Sequence, residues 1–255
     1  MIAALGAILV VGAAVWVWMW RARARGAQGE LRVEWRPPAT LGAGVTAREG
    51  RVARPVPWRL VDISVDLALA ELRVARAAAR GGRLFEMVPA GAVAAVNGGY
   101  FDERFRPVGW LVDHGSELAP RVARSSGGAL AVRGSTLYIG PVKEVPFPPE
   151  FAVQNGPRLV ETGGRIGIRA DDGKRAARTV ACDAEQRLHL IVVLARPLEG
   201  PTLHETARLL LGLGCRTALN LDGGPSSGVW LPPSAGLQPT EPAAPIAYAI
   251  AVTPR

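Results

Sequence analysis

Within eight residues, Asn220-Leu-Asp222-Gly223-Gly224-Pro-Ser226-Ser227 sets a carboxamide, a carboxylate, two glycines and two hydroxyls. That combination suits a polar, oxygen-rich ligand. Asp222 can take a proton or balance developing positive charge, while Asn220, Ser226 and Ser227 can bind hydroxyl or phosphate oxygens. Gly223 and Gly224 let a ligand approach the main-chain N–H groups closely. An Asx-type turn, in which Asp222 and Ser226 only satisfy backbone donors, accounts for the same residues, and the two readings stand side by side. The pattern occurs a second time: the apolar run Ala92 to Val96 ends in Asn97-Gly98-Gly99-Tyr100-Phe101-Asp102. Alone, Asn97-Gly98 signals a hairpin. Two copies suggest two loops facing one site.

Arg178 lies between small and apolar residues, where a guanidinium calls for an anionic partner. Glu205 is a further carboxylate candidate. It also completes a capping box with Thr202, in which its side chain returns to the helix start, so cap and catalyst are both open for it.

The elements that must position these groups are short. Ala218, Leu219 and Leu221 form a buried strand that delivers Asn220 and Asp222 to its end. Thr202 to Leu213 is the clearest helix, with Leu203, Ala207, Leu210 and Leu211 on one face and Gly214 where a C-terminal cap belongs. Strands are expected over Leu60 to Leu67, around Gly109 to Val112, Ala129 to Val132 and Leu137 to Ile139, and over Leu188 to Leu194, while Val153 to Val160 reads as a turn entering a strand and Ala176 to Cys182 as the entry to the next. The Ala/Arg-rich continuation to Arg80 fits strand or helix.

The 255 residues can build one good-sized core, and 30 Gly with 21 Pro point to many short strands and loops. The net charge of +8 comes from arginine, Lys143 and Lys174 being the only lysines. A basic surface suits anionic substrates, but no cluster of basic and aromatic residues marks a nucleic-acid interface. Cys182 and Cys215 sit in apolar runs. Buried thiols are the first expectation and a single disulfide the second, and neither spacing forms a metal site. Gly224-Pro-Ser226-Ser-Gly228 matches a nucleophile elbow, yet His114, His189 and His204 all precede Ser226, the wrong order for that triad. No metal and no cofactor is expected.

Ile2 to Trp20 has no charge and the length of a membrane-spanning helix. Residues 1–25 are therefore expected to be a membrane anchor, with Trp16, Trp18 and Trp20 at the interface. Arg21, Arg23 and Arg25 would keep the following domain in the cytoplasm by the positive-inside rule. Residues 26–57, rich in Gly, Pro, Ala and Arg, read as a linker, and the folded domain as 58–255.

The motifs taken in order resemble the phosphodiester glycosidase family. They are Ala95-Val-Asn97-Gly98-Gly99-Tyr100-Phe-Asp102, Gly109-Trp-Leu-Val-Asp-His-Gly115, Gln154-Asn155-Gly-Pro-Arg-Leu-Val160, Arg178-Thr179 and Asn220-Leu-Asp222-Gly223-Gly224-Pro-Ser226-Ser227. Pro225 stands where the family often has a third glycine. The resemblance implies an α+β, strand-rich single domain with flanking helices around a cleft. It implies export to the cell envelope, against the arginine rule, and hydrolysis of a sugar-1-phosphodiester or related polysaccharide at the sugar carbon. On that reading Asp222 is the key carboxylate, with Glu205 or Asp102 as the second, and Arg178 holds the phosphate. Asn97, Gly98, Gly99, Tyr100, Asn155, Asn220, Gly223, Gly224, Ser226 and Ser227 bind substrate. The competing expectation is a saccharide-binding module of the envelope without turnover.

Overall fold

Strand alternation decides the architecture. In Leu188–Leu194, the side chains of Leu188, Leu190 and Val192 enter the main core, and Val61, Ile63 and Val65 of the neighbouring strand do the same, as a two-residue period requires. The computed structural model describes residues 31–53, 57–77, 81–123 and 127–255, and Arg32–Arg255 form one compact unit.

The described residues make three antiparallel sheets. The largest runs β1 (Val33–Trp35), β3 (Val45–Val52), β4 (Trp58–Val65), β15 (Arg187–Leu194), β14 (Arg178–Ala184), β16 (Thr217–Asn220), β12 (Arg158–Glu161), β13 (Arg165–Ile166), with β2 (Ala39–Gly42) paired to β3. A second runs β10 (Thr136–Pro141), β9 (Gly128–Arg133), β11 (Phe151–Asn155), β7 (Leu111–Asp113), β8 (Ser116–Ala119). The third runs β17 (Val229–Trp230), β6 (Ala94–Asn97), β18 (Tyr248–Pro254), β5 (Ala70–Arg76). One core joins their inner faces: Val61 and Leu190 from the first sheet, Leu130 and Val153 from the second, Val96 and Ile250 from the third.

This corrects the α+β expectation. Sheets cover sheets here, so flanking helices are not needed to bury the inner faces. Among the described residues the helices are a single turn, α1 (Leu84–Met87), and α2 (Leu203–Gly212), besides short 3-10 turns. Of these α2 matches its expected span, including the reciprocal Thr202/Glu205 capping box. The expected anchor, Ile2 to Trp20, lies outside the described residues, and among those described no helix is long and apolar enough to cross a membrane.

The expected linker is also corrected: residues 33–35, 39–42 and 45–52 are strands of the largest sheet. β3 pairs with β4 over its whole length, from Val45 opposite Val65 to Val52 opposite Trp58, and this ladder holds a polar segment that has little hydrophobic signal of its own. The ambiguous run before Arg80 resolves as β5, paired with β18. The two cysteines form a disulfide, Cys182–Cys215. Pairing of β14 with β16 sets Cys182 opposite Ala218, which carries Cys215, just before β16, close enough to bond.

Candidate functional site

The three sheets bring their ends together at one place. Asn97 ends β6, Asn155 ends β11, Asn220 ends β16 and Arg178 begins the antiparallel β14. Each sheet therefore contributes one face of the site. The Asn97-Gly98 step is not a hairpin, since β6 pairs with β17 and β18 and not with the next strand.

Asn97 ties the site together from within. Its Oδ1 accepts from the Thr179 hydroxyl at 2.6 Å and the Gly228 N–H at 3.2 Å, and its Nδ2 donates to the Asp222 carbonyl at 2.8 Å. It is fully buried, so this residue, expected to bind substrate, braces the two glycine loops against β14. Gly98 and Gly99 are required by a close approach: a Cβ on Gly98 would lie 2.3 Å from the Tyr248 ring, and one on Gly99 would lie 2.6 Å from its hydroxyl. Contact of this kind excludes any side chain, whatever the backbone angles. Tyr248, buried behind the loop, had no signal in the sequence beyond the need of two adjacent glycines for a neighbour.

Asp222 follows β16, its N–H donating to the Gly98 carbonyl. Burial raises its pKa above the usual carboxylate range, opposed by hydrogen bonds from the Ser226 hydroxyl and the Gly223 N–H. Tyr100 stands opposite. Its hydroxyl donates to the Gly156 carbonyl at 2.7 Å and receives Asn220 Nδ2 at 3.4 Å, and burial followed by the Asp222 charge raises its pKa.

Arg178 is 9% exposed. Its Nε donates to the Pro201 carbonyl and its Nη2 to the Lys174 carbonyl, and among the described residues no carboxylate lies within ion-pair distance of it. Burial lowers its pKa; the charges of Asp172, Tyr100 and Asp171 act the other way. A Cβ on Gly223 would come within 3.9 Å of Arg178 Cδ, which sets the guanidinium stem against the Asp222 turn. A buried cation left with neutral partners is a ready seat for an anion.

Buried polar atoms without hydrogen-bond partners gather here too: both amide atoms of Asn155 and Asn220 Oδ1. Such groups are costly unless something satisfies them. Asn155 Nδ2 lies 3.0 Å from where a Gly99 Cβ would stand, next to the Tyr248 hydroxyl. Ser226 and Ser227 diverge. Ser226 serves Asp222, whereas Ser227 lines a separate apolar cavity of about 340 Å³ with Gly224, Leu194 and Leu198.

The other two carboxylates are engaged elsewhere. Glu205 accepts from the Thr202 N–H and forms a two-point ion pair with Arg175 at 2.9 and 3.2 Å. Asp102 organises its own loop, accepting from the Arg104 and Arg106 N–H groups and from the Arg106 guanidinium, which holds its pKa low. The geometry thus assembles Asp222, Arg178, Tyr100, Asn155 and Asn220, with Gly98 and Gly99 making room for Tyr248 and Gly223 turning the chain beside Arg178. No group of three His, Cys, Asp or Glu side chains converges as metal ligands among the described residues.

Comparison with known proteins bears on the family and the fold. A family model described as phosphodiester glycosidase matches residues 90–253, a span that contains all five of these groups. The catalytic domain of zebrafish N-acetylglucosamine-1-phosphodiester alpha-N-acetylglucosaminidase, auto-inhibited by its pro-peptide, superposes with a TM-score of 0.64 at 19% identity, covering 90% of each chain. A hypothetical protein from Synechocystis gives 0.62 at 16% identity over 83% of this chain, which spans 62% of that protein. A putative exported protein from Burkholderia pseudomallei gives 0.63 at 13% identity, over 88% of this chain and 97% of the other. At these identities the likeness concerns the fold. No curated protein matches the chain significantly in sequence.

Proposed function

The chain belongs to the phosphodiester glycosidase family, and on that premise we propose that it hydrolyses a sugar-1-phosphodiester at the glycosidic bond, N-acetylglucosamine being the first sugar to test. The observation that carries this reading is the buried Arg178 guanidinium, unmatched by a carboxylate and set against the turn that bears a desolvated Asp222.

The phosphate would take the N–H groups of Arg178 that face no protein carbonyl, while Asn155 and Asn220 offer their unpartnered amide atoms to sugar hydroxyls. Water oxygen bonds to the anomeric carbon, the bond from that carbon to the phosphate oxygen breaks with its electrons leaving on phosphate, and Asp222 receives the proton. Glycosidases commonly need a second carboxyl group as acid. A phosphate leaving group is already a weak base, so charge stabilisation by Arg178 takes the place of protonation. This fits the engagement of Glu205 and Asp102 in other roles. A raised pKa also suits Asp222 as a base near neutral pH.

The absence of a second free carboxyl beside Asp222 among the described residues equally favours a second reading, a saccharide-binding module without turnover. Labelled water separates them. The full chain incubated with N-acetylglucosamine 1-(methyl phosphate) in oxygen-labelled water is expected to release sugar carrying the label. Label in phosphate would mean attack at phosphorus and would overturn the mechanism; saturable binding without product would favour the module.

The Cys182–Cys215 disulfide supports an oxidising, extracytoplasmic location. The Burkholderia protein of like fold, described as exported, supports the same location.

A further inference from the structure

Just past Tyr100, a cavity of about 710 Å³ is lined by Arg76, Arg104 and Arg106 together with Asp102, Phe105 and Leu118. We propose that it is a subsite for a second anionic group on the leaving side of the substrate. The preferred substrate would then be a sugar-1-phosphodiester whose aglycone itself carries a phosphate. This inference rests on the sugar-phosphodiester reading of the Asp222 site.

Charge is the first argument. Among the described residues Asp102 is the only carboxylate lining the cavity, and its oxygens are taken by Arg106 and by two N–H groups of its own loop. Among the described residues Arg76 and Arg104 have no carboxylate partner. The lining therefore carries three positive charges against one negative, and guanidinium groups favour phosphate through paired donors.

Position is the second. Val108 N–H donates to the Tyr100 carbonyl, so the cavity loop hangs directly from the residue that faces Asp222. On the other side Arg76 stands opposite Tyr248 in the β5–β18 register, and the Tyr248 hydroxyl lies within the electrostatic reach of both Asp222 and Arg76. Tyr100 and Tyr248 thus tie the cavity to the Asp222 site through the Val108–Tyr100 hydrogen bond and the Arg76–Tyr248 strand pair, which sets the cavity on the side where an aglycone would leave. Its volume is enough for a phosphorylated polyol or sugar unit.

The loop is also held in shape, which fixes the backbone from which Arg104 and Arg106 project, and Asp102 holds the Arg106 guanidinium. Phe101 and Phe105 stack at 5.2 Å. Phe105 keeps a left-handed φ of 57°, and Phe101 bridges to Pro107. Preorganised donors lose less entropy on binding.

The test compares two substrates of the full chain: N-acetylglucosamine 1-phosphate esterified to glycerol, and the same compound with a phosphate on the far glycerol hydroxyl. The added phosphate is expected to lower KM about tenfold, the effect of one good charged contact, with kcat changed less than about twofold. The advantage should shrink as salt rises toward ~0.5 M, because the guanidinium groups are exposed and screened. In Arg76→Gln/Arg104→Gln the ratio of the two KM values should fall to about one, at an unchanged melting temperature. Equal KM values in the parent protein, or a ratio unaltered in the variant, would overturn the subsite. Glycerol 1,3-bisphosphate, titrated calorimetrically, reads the cavity without turnover. Binding that the double variant loses, in a chain that cleaves neither substrate, would sink the glycosidase reading and leave the anion site standing. No binding would sink the site itself.

Discussion

Arg178→Lys isolates what the buried guanidinium does. Of its five N–H donors, Nε is directed to the Pro201 carbonyl at 3.2 Å and one on Nη2 to the Lys174 carbonyl at 2.7 Å, leaving 5 − 2 = 3 donors, two on Nη1 and one on Nη2. More than one donor on the same planar group is what two-point recognition of a phosphate needs. Lysine keeps the charge but presents a single ammonium that cannot span two phosphate oxygens. Losing one charge-assisted hydrogen bond costs about 1.5–3 kcal/mol, and each 1.4 kcal/mol is about tenfold. The expected fall in kcat/KM is therefore roughly 10- to 100-fold for a sugar-1-phosphodiester. Binding of the free sugar should change less than about threefold, because Asn155 and Asn220 are untouched. Steady-state kinetics on the phosphodiester, calorimetry with the free sugar and thermal melting make up the assay. Equal losses for phosphodiester and free sugar would mean that Arg178 shapes the whole site; full activity at an unchanged melting temperature would mean that phosphate does not bind there.

Asp222→Asn should lower kcat about 10²- to 10⁴-fold, the range for a proton-transfer group, without lowering the melting temperature at pH 7. The sign follows from the raised pKa: the cost of Asp222 to folding grows as pH rises from its unfolded-state pKa to its folded-state pKa and stays in full above that, and the amide removes it. For the same reason the acid limb of kcat/KM in the parent should lie above the ordinary carboxylate value of about 4, and a limb at or below it would count against Asp222 as base. Glu205→Gln keeps the capping acceptor and loses the Arg175 ion pair, so kcat/KM should stay within about twofold and stability fall by roughly 0.2–1 kcal/mol; a collapse of activity at near-normal stability would return Glu205 to the chemistry. Replacing both cysteines by alanine opens a bridge of sequence separation 33. By loop entropy that costs about 4 kcal/mol, read as a fall in melting temperature of roughly 8–15 °C, and a shift under a few degrees would contradict it.

By itself the sequence determined local matters. Alternation marked β4, a continuous apolar run marked β15, the Thr202/Glu205 box marked the start of α2, and the paired glycines marked places where backbone must meet something closely, as Gly98 meets Tyr248. Asp222 and Asn220 stood out as polar groups at a strand end beside a glycine turn and Arg178 as a cation among small and apolar residues, whereas Tyr100 and Asn155 came only from the family resemblance. What decided the rest was pairing between distant segments. Residues 33–52 become strands only because β4 supplies a ladder to a polar run. Cys182 and Cys215 meet only because β14 and β16 are neighbours. The roles of the carboxylates turned on partners far along the chain or folded back in a loop: Arg175 takes Glu205, Arg106 takes Asp102, and Asp222 alone is left desolvated. Asn97 looked like a ligand residue because its type and position suited one, yet Thr179 and Gly228 claim its carbonyl oxygen. Residue type announces which hydrogen bonds a side chain can make. Which of them remain for a ligand depends on the neighbours that three sheets bring to one point, and that is a property of the tertiary structure alone.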